Sequence, residues 1–211
     1  DRKEDMEKTV DAAGFTDYEF IEAVDGSTLQ PTEEITRLFL GNDFGSKKGV
    51  IGCALTHYNL WKKLSADTEH TFYTIFEDDF MFTESKETIQ KVLLDFFQKN
   101  VFFDCLLLGG NILQAVPTEL PYLKKVYDGQ CCSSYVVTRQ FASLLLKLWE
   151  EAIHLQEEYT LQNKKVYHFY CIDIAWKQLQ PHSHWFVVEP KFGLQRESYS
   201  DIEKKITNYL V

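Results

Sequence analysis

Cys105-Leu106-Leu107-Leu108 is a run of four apolar residues closed by Gly109-Gly110. A strand with no polar alternation has no face to offer water, so it must be covered on both sides. The chain carries the covering material. Ile89, Val92, Leu93, Phe96 and Phe97 recur at helical spacing just before the run. Phe141, Leu144, Leu145, Leu148, Trp149 and Ala152 do so after it, and Leu55, Tyr58, Trp61 and Leu64 form a third stripe in a helix expected to begin just after Gly52. Each is an apolar stripe of period 3.6.

Further strand-like runs lie between these helices. Tyr18–Val24 ends in a turn at Asp25-Gly26, and Thr71–Phe76 is rich in aromatic and β-branched residues. Ser134–Thr138 and Trp185–Val188 are similar. Ser200-Asp201-Ile202-Glu203 reads as a capping box opening a C-terminal helix. Strands separated by helices of 12–18 residues imply βαβ units and a mostly parallel sheet, hence an α/β fold in one domain over 1–211. The opening Asp1-Arg2-Lys3-Glu4 gives the appearance of a chain trimmed from something longer.

Charge narrows the function. Lys and Arg number 22 against 32 Asp and Glu, a net charge of −10. That argues against non-specific binding to nucleic acid or to an anionic membrane, both of which reward clustered cations. No apolar run approaches the length of a membrane helix. Five cysteines (Cys53, Cys105, Cys131, Cys132 and Cys171) are scattered without a C-x-x-C pair, so no structural zinc site is expected. Cys53, Cys105 and Cys171 sit among apolar neighbours, where a thiol acts as a small hydrophobe. With no Asn-x-Ser/Thr sequon, a reduced, cytoplasmic setting is favoured over a secretory lumen.

Two polar constellations carry chemistry. Glu77-Asp78-Asp79 directly follows Tyr73–Phe76. Alternation along an extended backbone puts Glu77 and Asp79 on one face and Asp78 on the other. Ligand sites in open α/β sheets lie beyond the carboxyl ends of strands, and two hard carboxylates there suit Mg²⁺ or Mn²⁺. The alternative is a solvated acidic turn. A cation would also let so acidic a protein accept a phosphorylated donor: unit charges about 4 Å apart interact by roughly 4 kcal/mol at an effective dielectric near 20. In the second constellation, Tyr167–Trp176, Asp173 lies in an aromatic and apolar run. Burial there makes a general base; the alternative is an N-cap of the next helix. His57 is placed in the first turns of its helix, as a hydrogen-bonded structural residue or a ligand. His182 and His184 have strand spacing that would let them share a metal.

These segments resemble glycosyltransferase family 25. Phe20–Gly26 is similar to its A-V-D-G turn, and Gly49–Trp61 to its G-E-I-G-C-x-x-S-H-x-x-x-W segment, with Val50 for Glu and Thr56 for Ser. Ile75–Asp79 resembles the E-D-D metal motif, Asp104–Gly109 the W-D-x-x-x-x-G strand, and Ser134–Leu146 the Y-x-x-S/T-x-x-x-A-x-x-L-L segment. Asp173 falls where the family has P-V-D, without its proline, and 188–202 resembles the C-terminal pattern ending in S-D-I. The resemblance would place the family's opening strand, a hydrophobic run ending in an N-L-x-R-x-x-x-R element, just before Asp1, with only its tail at Arg2 within the sequence.

The resemblance implies a GT-A type, Rossmann-like nucleotide-sugar domain that moves a sugar, galactose first, from a UDP donor with inversion. The acceptor would be a glycan or a collagen hydroxylysine. Glu77 and Asp79 would hold Mn²⁺ or Mg²⁺, and Asp78 would touch the ribose or donor sugar. Ala23, Asp25 and His57 would line the donor pocket, and Asp173 would be the base. A metal-dependent phosphohydrolase and a non-catalytic glycan- or protein-binding family member are the competing readings.

Overall fold

The computed structural model describes residues 2–30, 48–163, 171–200 and 205–208. Helix α1 is Arg2–Ala13, α2 Lys48–Ala66, α3 Lys86–Gln98, α4 Arg139–Asn163 and α5 Ile172–Ala175. The strands are β1 Phe72–Phe76, β2 Phe80–Phe82, β3 Cys105–Leu107, β4 Asn111–Pro117 and β5 Leu123–Gln130. They continue with β6 Ser134–Thr138, β7 Trp185–Val188, β8 Gly193–Gln195, β9 Ser198–Ser200 and β10 Lys205–Thr207.

Six strands form one sheet in the order β1-β6-β3-β7-β5-β4. Its two faces bury different side chains. Cys105, Leu107, Tyr135, Val137, Trp185 and Val187 pack with Trp61 and Leu64 of α2 and Phe141, Leu145 and Trp149 of α4. Leu106, Leu108, Val136 and Val188 point the other way, onto Ile89, Val92 and Phe96 of α3. The all-apolar run is thus covered on both sides, as a strand without a polar face requires. Helix α3 starts where the Ser85 side chain accepts the Thr88 N–H, an N-cap that satisfies one of the helix's orphan donors.

The sheet is α/β but not mostly parallel. Only β3 and β7 pair in parallel; the other four pairings are antiparallel. Strands β1, β3 and β7 do run in one direction, as crossover helices demand. Strand β6, however, arrives from the β4–β5 hairpin and inserts antiparallel between β1 and β3. Parallel direction survives there while parallel neighbourhood does not.

Three other expectations change. Tyr18–Val24 is coil, held where the Val24 N–H reaches Thr56 Oγ1 at 2.9 Å, with Phe20 and Ile21 exposed. Helix α2 begins a turn early, at Lys48, so His57 lies in its middle. Ser200 ends β9 and pairs with Lys205 of β10, so a hairpin replaces the expected C-terminal helix; residues 201–204 lie outside the described ones.

One close approach explains two glycines. A Cβ on Gly52 would meet Val24 O at 2.3 Å, and one on Gly26 would meet Lys48 O at 1.7 Å. The Asp25-Gly26 turn therefore lies directly against the first turns of α2, closer than side chains allow.

Candidate active site

At the carboxyl end of β1 the chain turns sharply. The Glu77 N–H donates to Ser133 O at 2.8 Å, and the Phe80 N–H to Glu77 O at 3.2 Å. The three acids thus occupy a tight turn, not the extended backbone expected of them. Their side chains still divide as that reading had it. Asp78 is 54% exposed and pairs with Arg2 at 3.3 Å, whereas Glu77 and Asp79 are partly buried.

Glu77 Oε1 points into a nest of nitrogen and sulfur. His57 Nε2 lies 3.2 Å from it, Cys132 Sγ 3.4 Å and Cys53 Sγ 3.8 Å. His57 is 3% exposed. Its other nitrogen, Nδ1, meets the Tyr135 hydroxyl at 2.8 Å, and that hydroxyl accepts the Trp61 Nε1–H at 3.0 Å. Burial disfavours the imidazolium, but the bonds to Cys53 and Glu77 outweigh it and raise the His57 pKa to about 10. Burial likewise opposes ionisation of Glu77, yet the bond and charge of His57 hold its carboxyl below the ordinary range. The Cys132 bond lowers the Cys53 thiol to about 7.

Asp79 sits at the edge of this nest. Gln195 of β8 donates to its Oδ2 at 2.8 Å, and the Arg196 N–H donates to its carbonyl at 2.9 Å. Burial, then the neighbouring charge of Glu77, push its carboxyl up to about 6.

Asp173 is supplied by α5. Cys171 is the N-cap of α5 and Asp173 lies inside the first turn, so it is not the cap. Its Oδ2 instead accepts the Cys131 N–H at 3.1 Å. Burial raises its pKa, with Glu77's charge adding to the effect. Cys131 holds a left-handed backbone, φ 78°, which costs a residue with a Cβ of order 1–3 kcal/mol. That conformation presents the N–H of Cys131 to Asp173, while the next residue sends its thiol to Glu77.

The fold therefore gathers Glu77, Asp79, Asp173 and His57 around one strand end. His57 is buried, with Nδ1 on the Tyr135 hydroxyl and Nε2 toward Glu77. Ala23 and Asp25 are exposed on the turn that abuts α2. Asp25 caps the short helix Gly26–Thr28 by accepting the Ser27 N–H. His182 ends the short helix Gln180–His182, so the expected strand spacing is absent, and His184 bonds Asp104 at 3.2 Å and stacks edge-on with Phe102. Cys53 faces a carboxylate instead of a wholly apolar neighbourhood, whereas Cys105 is fully buried and its thiol pKa is driven well up by burial. Four members of the cluster were missed from sequence: Cys53, Cys132, Tyr135 and Gln195. Only Cys53 carried a signal, its i, i+4 spacing to His57 on one helix.

No described helix is long and apolar enough to cross a membrane. The family described as glycosyltransferase family 25 (LPS biosynthesis protein) matches residues 1–162. A protein of Acanthamoeba polyphaga mimivirus, assigned as a glycosyltransferase, is 47% identical over 95 residues, covering 44% of this chain and 29% of that one. Procollagen galactosyltransferase 1-A of Xenopus laevis is 30% identical over 131 residues, 57% of this chain and 21% of the relative. A Haemophilus influenzae protein assigned as a glycosyltransferase is 26% identical over 137 residues, 62% of this chain and 48% of the other. The matches thus span less than half the length of these relatives. The acidic turn, the Gly49–Trp61 segment and the strand end they build all lie within the matched residues: the chain belongs to glycosyltransferase family 25.

Proposed function

We propose that this domain transfers a sugar, galactose first among candidates, from a UDP-sugar to a hydroxyl on a glycan or a hydroxylysine side chain, inverting the anomeric carbon in a GT-A type site. The observation that carries the reading is the convergence of a half-buried acid pair, Glu77 and Asp79, with a separately placed and likewise half-buried acid, Asp173. The relative named procollagen galactosyltransferase supports the choice of sugar.

Asp173 is the base. Its Oδ2 is held by Cys131, so Oδ1 takes the proton from the acceptor hydroxyl as that oxygen bonds to the anomeric carbon. The bond from that carbon to the diphosphate oxygen breaks with its electron pair leaving on UDP. A base whose pKa is lifted toward neutrality is better matched to this task than an ordinary carboxylate.

Glu77 and Asp79 fit Mn²⁺ or Mg²⁺, because two hard carboxylates crowded in a half-buried turn repel each other and a divalent cation relieves that repulsion. Bound there, the cation would neutralise the charge developing on the departing diphosphate. Asp78, on the outer side of the turn, contacts the ribose or sugar once Arg2 releases it; Ala23 and Asp25 form the rim.

The test is calorimetric titration of UDP, UDP-galactose and UDP-glucose, with Mn²⁺ and with EDTA, on the wild type and on Asp79→Ala. Metal-dependent binding lost in the variant is the expected result. Binding unaffected by EDTA, or no binding of any of the three, overturns the reading.

A further inference from the structure

Three donors converge on a single oxygen, Glu77 Oε1: His57 Nε2 at 3.2 Å, Cys132 Sγ at 3.4 Å and Cys53 Sγ at 3.8 Å. An oxygen has two lone pairs, so three hydrogen bonds oversubscribe it. The four ligand-type atoms lie within 4.8 Å of one another and are largely buried. We infer that Cys53, His57, Glu77 and Cys132 form a tetrahedral site for a thiophilic divalent cation, zinc first.

The geometry fits a cation. With Zn–S of about 2.3 Å and Zn–N and Zn–O of about 2.0–2.1 Å, a tetrahedron has S···O edges of about 3.5 Å and an N···O edge of about 3.3 Å. The observed edges, 3.4 and 3.8 Å for S···O and 3.2 Å for N···O, fall within a few tenths of an ångström of these values.

The surrounding shell supports the assignment. A ligating histidine usually donates its second N–H to a fixed partner, which orients the ring. Here that partner is the Tyr135 hydroxyl on Nδ1, itself fixed by Trp61, so Nε2 is left to face the cluster. Thiolates and imidazole select zinc over Mn²⁺ or Mg²⁺, which prefer oxygen. No C-x-x-C is needed, because helix α2 supplies Cys53 and His57 one turn apart. The β1 end supplies Glu77, and the turn before β6 supplies Cys132. With all four positions filled by protein, this is the closed pattern of a structural site. It would pin the strand end that carries the acid pair while leaving Glu77 Oε2 outside the tetrahedron. The inference does not rest on the transferase reading.

The experiment measures zinc by mass spectrometry in protein purified under reducing conditions without added metal. It then strips the metal and titrates Co²⁺. Expected are about one zinc per chain and sulfur-to-cobalt charge-transfer absorption together with intense tetrahedral d–d bands. Both should vanish in Cys53→Ser and Cys132→Ser and persist in Cys105→Ser and Asp79→Ala. Persistence in Asp79→Ala separates this site from the proposed donor-side cation, whose loss is read in UDP binding. Tyr135→Phe should weaken zinc affinity roughly ten- to hundredfold, as loss of an outer-shell partner does. Should the serine variants fail to fold, the wild-type cobalt spectrum decides alone. A metal-free protein whose Co²⁺ titration shows no sulfur charge transfer overturns the site, as does a Cys53–Cys132 disulfide in the native protein.

Discussion

Tyr135 is the residue on which the strand-end geometry hangs, and replacing it with phenylalanine gives a quantitative test. The side chain is fully buried, and its hydroxyl serves two neighbours: Trp61 Nε1 at 3.0 Å and His57 Nδ1 at 2.8 Å. The ring itself stays in Tyr135→Phe, so the apolar packing against Trp176 is retained. What is lost is one oxygen, and with it the partners of two buried polar groups; Trp61 is 1% exposed and His57 3%. Each of the two orphaned groups costs about 1–3 kcal/mol, so the variant should lose roughly 2–6 kcal/mol. For a chain of this size each kcal/mol moves the midpoint by about 2–4 °C, which makes a fall of roughly 4–24 °C. Urea unfolding followed by tryptophan fluorescence reads the free energy directly. A cycle with Trp61→Phe adds a sharper criterion. Because that change removes the stranded indole N–H, the double variant should cost about 1 kcal/mol less than the sum of the singles. A Tyr135→Phe cost below about 0.5 kcal/mol, or strict additivity in the cycle, would refute the account of the hydroxyl as a shared anchor.

Asp173→Asn should lower transfer by about 10²–10⁴-fold, the usual worth of a general base, while the amide oxygen still accepts the Cys131 N–H and the fold persists. Since burial raises the Asp173 pKa above its unfolded value, the folded wild type holds this proton more tightly. Stability is therefore lost as pH rises from the ordinary carboxyl range through the elevated one, and Asp173→Asn should flatten that decline in urea midpoints across pH. The same elevation places the acid limb of the wild-type pH–rate profile above the usual carboxylate region, and an acid limb near 4 would remove Asp173 as the base. Gly52→Ala should destabilise by about 1–3 kcal/mol through overpacking, because its Cβ lands 2.3 Å from a backbone oxygen. Gly129→Ala, whose nearest contacts are side-chain carbons at 3.1–3.4 Å, should cost less, and equal thermal shifts would contradict the close approach. Gln180 is fully buried and completes the backbone of Gly129, accepting its N–H at 2.8 Å and donating to its carbonyl at 2.9 Å. Gln180→Leu strands the N–H and should cost about 1–3 kcal/mol by urea unfolding.

Much of the layer structure was legible because it depends on local pattern. Ser134–Thr138 and Trp185–Val188 were read to the residue, and Cys105–Leu108 to within one, since apolar or β-branched runs admit few alternatives. The stripe of α3, read as Ile89, Val92, Leu93, Phe96 and Phe97, is buried at Ile89, Val92 and Phe96, while Leu93 is half-buried and Phe97 is 37% exposed. In α4 the same logic overreached at Leu144, which is 48% exposed while Phe141 and Leu145 are buried; periodicity locates a face but not its margin. Tyr18–Val24 has strand composition without a strand, because composition does not supply a neighbour to pair with.

The candidate site divides along the same line. That Glu77, Asp78 and Asp79 terminate an apolar strand, and that Asp173 stands in an apolar run, follows from residues adjacent in the chain. The antiparallel entry of β6 does not, because strand order is set by which edges remain open once helices and hairpins have closed. That entry carries Tyr135 to His57, 78 positions away, and Cys132 to Glu77, 55 positions away. Sequence alone determined the chemistry at each position and the two covered faces of the sheet. The meeting of two thiols, an imidazole and a carboxylate was decided only by tertiary structure, since short-range pattern carries no information about which distant side chains one buried pocket will force together.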